Sequence, residues 1–337
     1  MKGIKIISAV LLVFSIAISI NAQNDPRWLN FEPESKQSNG KHVVLISGDE
    51  EYRSEEGMPM LAKILTHHHG FKTTVLFSID ESSGEINPNH QTNIPGMHHL
   101  KSADLVIMLI RFRELPKEQM DYFADYLKAG KPIIGLRTST HAFRYSRDKG
   151  SPHAKYDFAS KAEGWNGGFG KKILGETWIN HHGIHGKEGT RALVDGIAKR
   201  NDHPILKGVV DIWGPTDVYG LTDVPEGSEV LLWGQSTNGM TADAPVNWEK
   251  PIMPVAWAKT YKIENGNEGK VLATTMGASI DLLSEDLRRM IINGAYWAID
   301  REDKIDEELN VEIVGDYNPT MFGFDQYKKG RKPEFYK

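Results

Sequence analysis

Short apolar runs separated by amphipathic stretches dominate the first half of the chain. His42-Val43-Val44-Leu45-Ile46-Ser47 is apolar and closed by Gly48, which predicts a buried strand. Ser54 to His69 carries Met60, Leu61, Ile64 and Leu65 on one stripe, with Ser54 as the expected N-cap and Gly70 as the stop, and predicts a helix. Phe71 to Ile79 alternates and is rich in β-formers, giving a second strand, and Ala103 to Ile110 gives a third. Pro116 opens a helix that runs through Phe123 and Leu127 to Gly130, and Lys131 to Leu136 is the fourth strand. Near-continuous apolar strands alternating with helices predict an α/β fold built on a doubly wound, mostly parallel sheet covered on both faces.

The second half is less regular. Thr190 to Val194, Glu229 to Trp233, Met253 to Lys259 and Lys270 to Thr275 read as shorter added strands, and a last helix runs from Ser284 to Ile299. Residues 144–190, rich in Gly, His, Lys and Trp, form an irregular insertion, a kind of segment that is usually functional or disordered. The glycine-rich Gly164 to Gly170 lacks a phosphate-loop order and reads as a flexible loop or lid. Residues 23–40 form a loose polar lead-in, 41–300 one domain without internal repeats, and 301–337 a charged, then Tyr/Phe-rich tail packed along the surface.

The first 22 residues have the layout of a secretory signal peptide: Lys2 and Lys5, an apolar run from Ile6 to Ile20, then Asn21-Ala22. The run is short for a bilayer span, so the expected protein is exported, periplasmic or extracellular, with no membrane span after cleavage. Its removal takes away two lysines and no acid, moving the net charge from −5 to −7. A net acidic chain without basic runs is not expected to bind nucleic acid. The absence of cysteine excludes disulfides, a thiolate nucleophile and Cys-ligated zinc.

Ligands of open parallel sheets bind beyond the carboxyl ends of the strands. Strand one is followed there by Asp49, Glu50, Glu51, Tyr52 and Arg53, strand three by Arg111, Phe112, Arg113 and Glu114, and strand four by Arg137, Thr138, Ser139, Thr140 and His141. The topology makes these residues neighbours. Guanidiniums suit oxygen-rich ligands, and imidazoles move protons near neutral pH. No Gly-x-Ser-x-Gly elbow is present; the strand-four turn leaves room for a Thr or Ser nucleophile, but no motif directs it. A second cluster, His181-His182-Gly183-Ile184-His185, lies in the insertion. It offers proton-transfer histidines (His182 and His185), or ligands for a divalent metal (His181, His182 and His185), or a structural feature. His67-His68-His69 closes a helix, where cations suit the dipole, and reads as structural.

Ile134 to Phe143, the Gly175 to Gly186 stretch, His203 to Gly208, Asp217-Val218-Tyr219, Pro254 to Trp257 and Gly269 to Gly277 together resemble the ThuA-like family, named for trehalose utilisation, over roughly residues 42–300. The resemblance implies a flavodoxin-like domain of the class I glutamine amidotransferase type, and it brings Asp217 and Trp257 into the candidate substrate-binding set. Amidotransferases carry a catalytic Cys in the turn where this chain has Arg137-Thr138, so the resemblance does not extend to glutaminase chemistry. Gly277-Ala278 also stand where many members have Gly-His.

The resemblance implies a carbohydrate context, and with the strand-end cluster the expected partner is a small carbohydrate and the expected protein an enzyme acting on a sugar, glycoside or oxidised sugar. In it His141, His182 or His185 moves protons and Arg111 and Arg137 hold oxygens. Asp49, Glu50, Glu51, Tyr52, Arg53, Thr138, Ser139, Asp217 and Trp257 are the further candidates around the substrate. The rival readings are a non-catalytic carbohydrate-binding scaffold and a His-ligated metal-dependent hydrolase. A binding module would present a shallow aromatic platform, and an enzyme would bring a His within hydrogen-bond reach of an Arg or carboxylate.

Overall fold

The computed structural model describes residues 25–195, 202–221 and 224–337; the expected leader, 1–22, lies outside the described residues. The apolar runs form strands β1 (Trp28–Phe31), β2 (His42–Gly48), β3 (Lys72–Leu76), β4 (Leu105–Ile110) and β5 (Ile133–Leu136). Later in the chain come β6 (Asn180–His181), β7 (Thr190–Leu193), β8 (Trp213–Gly214), β9 (Tyr219–Gly220), β10 (Ser228–Ser236), β11 (Met253–Lys262) and β12 (Glu268–Thr274). Helices α1 (Ser54–His67), α2 (Lys117–Lys128) and α3 (Glu285–Ala298) accompany them.

Ten strands form one sheet in the order β1-β3-β2-β4-β5-β12-β11-β10-β7-β8. The run β3-β2-β4-β5-β12 is parallel, and by order of appearance it reads 2-1-3-4-5. The remaining pairs are antiparallel, so the sheet is mixed. Strands β2, β4 and β5 are buried along their whole length, as expected when helices cover both faces. Alternate residues face opposite ways. Val43, Leu45, Ile107 and Leu109 pack against Leu61, Ile64 and Leu65 of α1 and Met290 and Ile291 of α3. Val44, Ile46, Val106 and Met108 pack against Met120, Phe123 and Leu127 of α2, together with Phe169, Ile173 and Leu174 from the insertion. Among the described residues no helix is long and apolar enough to cross a membrane.

Several local expectations give way to tertiary packing. The lead-in is not loose throughout: Trp28–Phe31 pairs antiparallel with β3, covering that edge of the sheet. Ser54 is not the N-cap of α1. Arg53 takes that position at φ 55°, and Ser54 lies inside the helix, bonding Ser47 Oγ at 2.9 Å and receiving the Asp49 amide at 3.0 Å. The glycine-rich stretch is not a free lid, because Trp165 and Phe169 are buried beneath it. A Cβ on Gly170 would sit 1.8 Å from the carbonyl oxygen of Thr140, so only glycine lets this segment lie against the turn after β5.

Candidate functional site

The parallel strands end in tight turns that force side chains into one region. Three non-glycine residues in these turns have left-handed backbone: Arg53 (φ 55°) after β2, Phe112 (φ 53°) after β4 and Arg137 (φ 39°) after β5. Such conformations cost of order 1–3 kcal/mol each and persist where the surroundings over-determine them. Here the turns interlock. Phe112 N donates to His141 O at 3.1 Å and Arg113 N to Ala142 O at 2.7 Å. Asp49 accepts the amides of Glu51 (2.7 Å) and Tyr52 (2.5 Å) on one oxygen and the Thr138 hydroxyl (2.5 Å) on the other. The turns after β2 and β5 are thereby tied together.

Arg137 lies at the centre, fully buried. Its Nη1 donates to the carbonyls of Asp217 (3.1 Å) and Thr275 (2.9 Å), and its Nη2 to Tyr52 Oη (3.1 Å) and Asp217 Oδ1 (3.0 Å). The guanidinium is stacked between the rings of Tyr52 and Tyr219, 4.2 and 4.4 Å from their centroids. The insertion reaches this centre through the short ladder of β6 with β9, where His181 pairs with Tyr219. A Cβ on Gly183 would meet Asp217 Cβ at 2.9 Å, so this glycine permits the close crossing.

That crossing puts two histidines on one carboxylate. His181 Nδ1 lies 2.6 Å from Asp217 Oδ2, and His185 Nδ1 lies 3.0 Å from Asp217 Oδ1. The other nitrogen of His185, Nε2, lies 3.0 Å from Glu51 Oε1. The two imidazoles are 4.7 Å apart, and their side chains remain 34% and 36% exposed, so a solute can reach them. Trp178 and Tyr219 flank His181, while Tyr52 and Phe322 flank His185. His181, His185 and Asp217 offer three potential metal-ligand atoms within 4.8 Å of one another.

Burial opposes ionisation of Asp217, but the His181 hydrogen bond and the Arg137 charge outweigh it and hold the carboxyl at about 2. Glu51 moves the other way, raised by burial and then by Asp49. Glu50 is also raised by burial, against the pull of Arg113. It clamps two guanidiniums, Arg111 Nη1 at 2.7 Å and Arg113 Nη2 at 2.9 Å. Burial, then Arg111 and Arg137, push His141 well below its ordinary value, so it is a neutral ring.

The candidates from the sequence therefore separate. Asp49, Glu50, Glu51, Tyr52, Arg111, Arg137, Thr138, His141, His185 and Asp217 gather around one region, with His181. Arg137 is placed to hold Asp217, its two terminal nitrogens engaged by protein groups, whereas Arg111 keeps a partly exposed guanidinium stacked on Phe112 and Phe324. His141 is buried beside Phe112 and Trp178. His182 does not join the centre: its Nε2 bonds Pro251 O at 2.9 Å. Arg53 turns to the carbonyls of Glu50 and Gly323, and Ser139 donates to Met108 O at 2.8 Å. Trp257 is core, fully buried with Nε1 donating to Leu174 O, and cannot stack on a ligand. Tyr219, Phe322 and Phe324 also line the site; in the sequence Tyr219 is marked only by its place in the Asp217 motif, and the other two only by an aromatic-rich tail.

The sequence model of the ThuA family, described as trehalose utilisation, matches residues 42–298. No curated protein matches the chain. Among solved structures, the chain is similar to a protein described as ThuA-like from Bacteroides uniformis ATCC 8492, with 15% identity and a TM-score of 0.47, covering 83% of this chain and 100% of that one. It is similar also to a ThuA-like protein from Parabacteroides merdae ATCC 43184, with 13% identity and a TM-score of 0.48, covering 84% and 97%.

Proposed function

The chain belongs to the ThuA (trehalose utilisation) family, and from that premise we propose that it is an exported enzyme acting on a sugar, glycoside or oxidised (keto) sugar by acid–base chemistry centred on His181 and His185. The observation that carries this reading is that one buried carboxylate, Asp217, holds both accessible imidazoles. A carboxylate against an imidazole fixes the ring's orientation and tautomer, which a proton-transfer group requires. Glu51 orients His185 from its other nitrogen. Arg111 binds substrate oxygen, and Arg137 positions Asp217. The 2-1-3-4-5 order of the parallel strands supports a flavodoxin-like, class I glutamine amidotransferase-type scaffold. The leader-like Lys2 to Ala22 segment supports export.

The experiment is incubation of the mature protein with trehalose, α- and β-glucosides and their keto derivatives, followed by NMR of the products. Turnover of one carbohydrate class is expected, reduced about 10²–10⁴-fold in Asp217→Asn. Binding without turnover across the whole panel would favour the non-catalytic scaffold instead.

A further inference from the structure

We propose that His181, His185 and Asp217 form a binding site for one divalent first-row transition-metal ion. The inference rests on the reading of the histidine pair as the reactive centre: with an ion bound, both Nδ1 atoms would be unprotonated ligands, and the ion would replace the Asp217 hydrogen bonds in orienting the two rings. Two imidazole nitrogens and a carboxylate converge on one point, with Nδ1 of His181 and of His185 at 2.6 and 3.0 Å from the two oxygens of Asp217. Imidazole with carboxylate is a donor set suited to zinc, manganese, iron or nickel.

Three further features belong to a metal centre more than to an isolated hydrogen-bond network. First, the ligands have outer partners. Glu51 meets the outward Nε2 of His185 at 3.0 Å, and Arg137 and its carbonyl contacts fix Asp217. Second, the local charge leaves room for a cation. Asp49, Glu50, Glu51 and Asp217 carry four carboxylates against the three guanidiniums of Arg111, Arg113 and Arg137. Third, both histidines are open on one side while aromatic rings lock them on the other, so coordination positions remain for solvent or substrate. Such an ion would take vicinal hydroxyls or a carbonyl of a sugar as ligands and polarise them.

The test is calorimetric titration of EDTA-stripped mature protein with Zn²⁺ and with Mn²⁺, with metal content measured after dialysis. One ion per chain is expected. His181→Ala and Asp217→Asn should weaken binding at least about 100-fold and Glu51→Gln about 10–100-fold, with His182→Ala unchanged. Circular dichroism confirms folding of each variant. No stoichiometric binding by the unaltered protein, or equal binding by His181→Ala and His182→Ala, overturns the proposal. Turnover that survives stripping, with no ion bound, overturns it while leaving the acid–base reading intact. Stoichiometric binding without carbohydrate turnover does the reverse.

Discussion

Arg137 and Asp217 form an ion pair with neither side chain exposed, Nη2 to Oδ1 at 3.0 Å. The pair joins the turn after β5 to the segment that carries β9, and through Asp217 it joins both to the histidines of the insertion. Removing one partner of a buried pair leaves the other uncompensated, which costs about 3–5 kcal/mol. Arg137→Met is therefore expected to lower stability by about that amount in urea unfolding. A loss under about 1 kcal/mol would show that the pair does not organise the region.

The insertion is mechanically coupled to the turn of Arg137 to His141. In Gly170→Ala the new Cβ would lie 1.8 Å from Thr140 O, so backbone must move. Overpacking of this kind costs about 1–3 kcal/mol. Thermal unfolding of Gly170→Ala should show that loss, whereas Gly150→Ala, whose Cβ would make only a 3.5 Å contact with Asp148, should be close to neutral. Equal behaviour of the two variants would mean the segment adapts freely.

His69 closes the region after α1 as a neutral ring. Its Nε2 donates to Asn310 O at 2.8 Å, and Nδ1 lies 3.2 Å from Tyr296 Oη. Burial, its largest influence, pushes it from 6.5 to about 4. The shift is downward, so the contribution to stability is complete above about 6.5 and is lost as pH falls toward about 4. There the unfolded chain takes up a proton that the folded chain refuses, a loss of up to roughly 3 kcal/mol. His69→Gln should flatten the difference between stabilities at pH 7 and pH 4. An unchanged slope would contradict the neutral assignment.

Glu55 should act in the opposite direction. It is fully buried with no hydrogen bond to either carboxylate oxygen; Arg53 Nε lies 3.7 Å from Oε1, but burial outweighs that charge and raises the carboxyl from 4.5 to about 7. A raised carboxyl favours folding below its unfolded value, and that contribution is lost as pH rises from about 4.5 through about 7. Glu55→Gln leaves Arg53 without its ion-pair partner at every pH, so the expected effect is on the slope: the variant should lose up to roughly 3 kcal/mol less stability than the parent between pH 4.5 and pH 8. Paired melting curves at the two pH values measure this, and an unchanged slope would refute it.

How much of this was legible in the sequence follows from the range of the interactions. Val43 to Ile46, Leu105 to Ile110 and Ile133 to Leu136 are fully buried runs, so their composition alone identifies strands, and the carboxyl-end rule then gathers Glu51, Arg111 and Arg137. Trp28–Phe31 is not legible, because four residues inside a polar segment become a strand only through pairing with β3. The meeting of His181 with Asp217 depends on a two-residue ladder between distant segments, which leaves no periodicity; Asp217 entered only through the family resemblance. Phe322 reaches His185 from the tail by tertiary packing alone. Trp257 misleads for the converse reason: an aromatic within a motif looks functional, yet it lies in a strand between β10 and β12, where the ring fills the core.

If the Asp217-held histidines act on the substrate, their neighbour His182 does not. The most direct measurement is kcat/KM of His181→Ala against His182→Ala on the carbohydrate that the unaltered protein turns over, with both variants shown to be folded. His181 lies 2.6 Å from Asp217, whereas His182 bonds the carbonyl of Pro251. A loss of about 10²–10⁴-fold is expected for His181→Ala and of less than about twofold for His182→Ala. Equal losses, or a larger loss for His182→Ala, would contradict it.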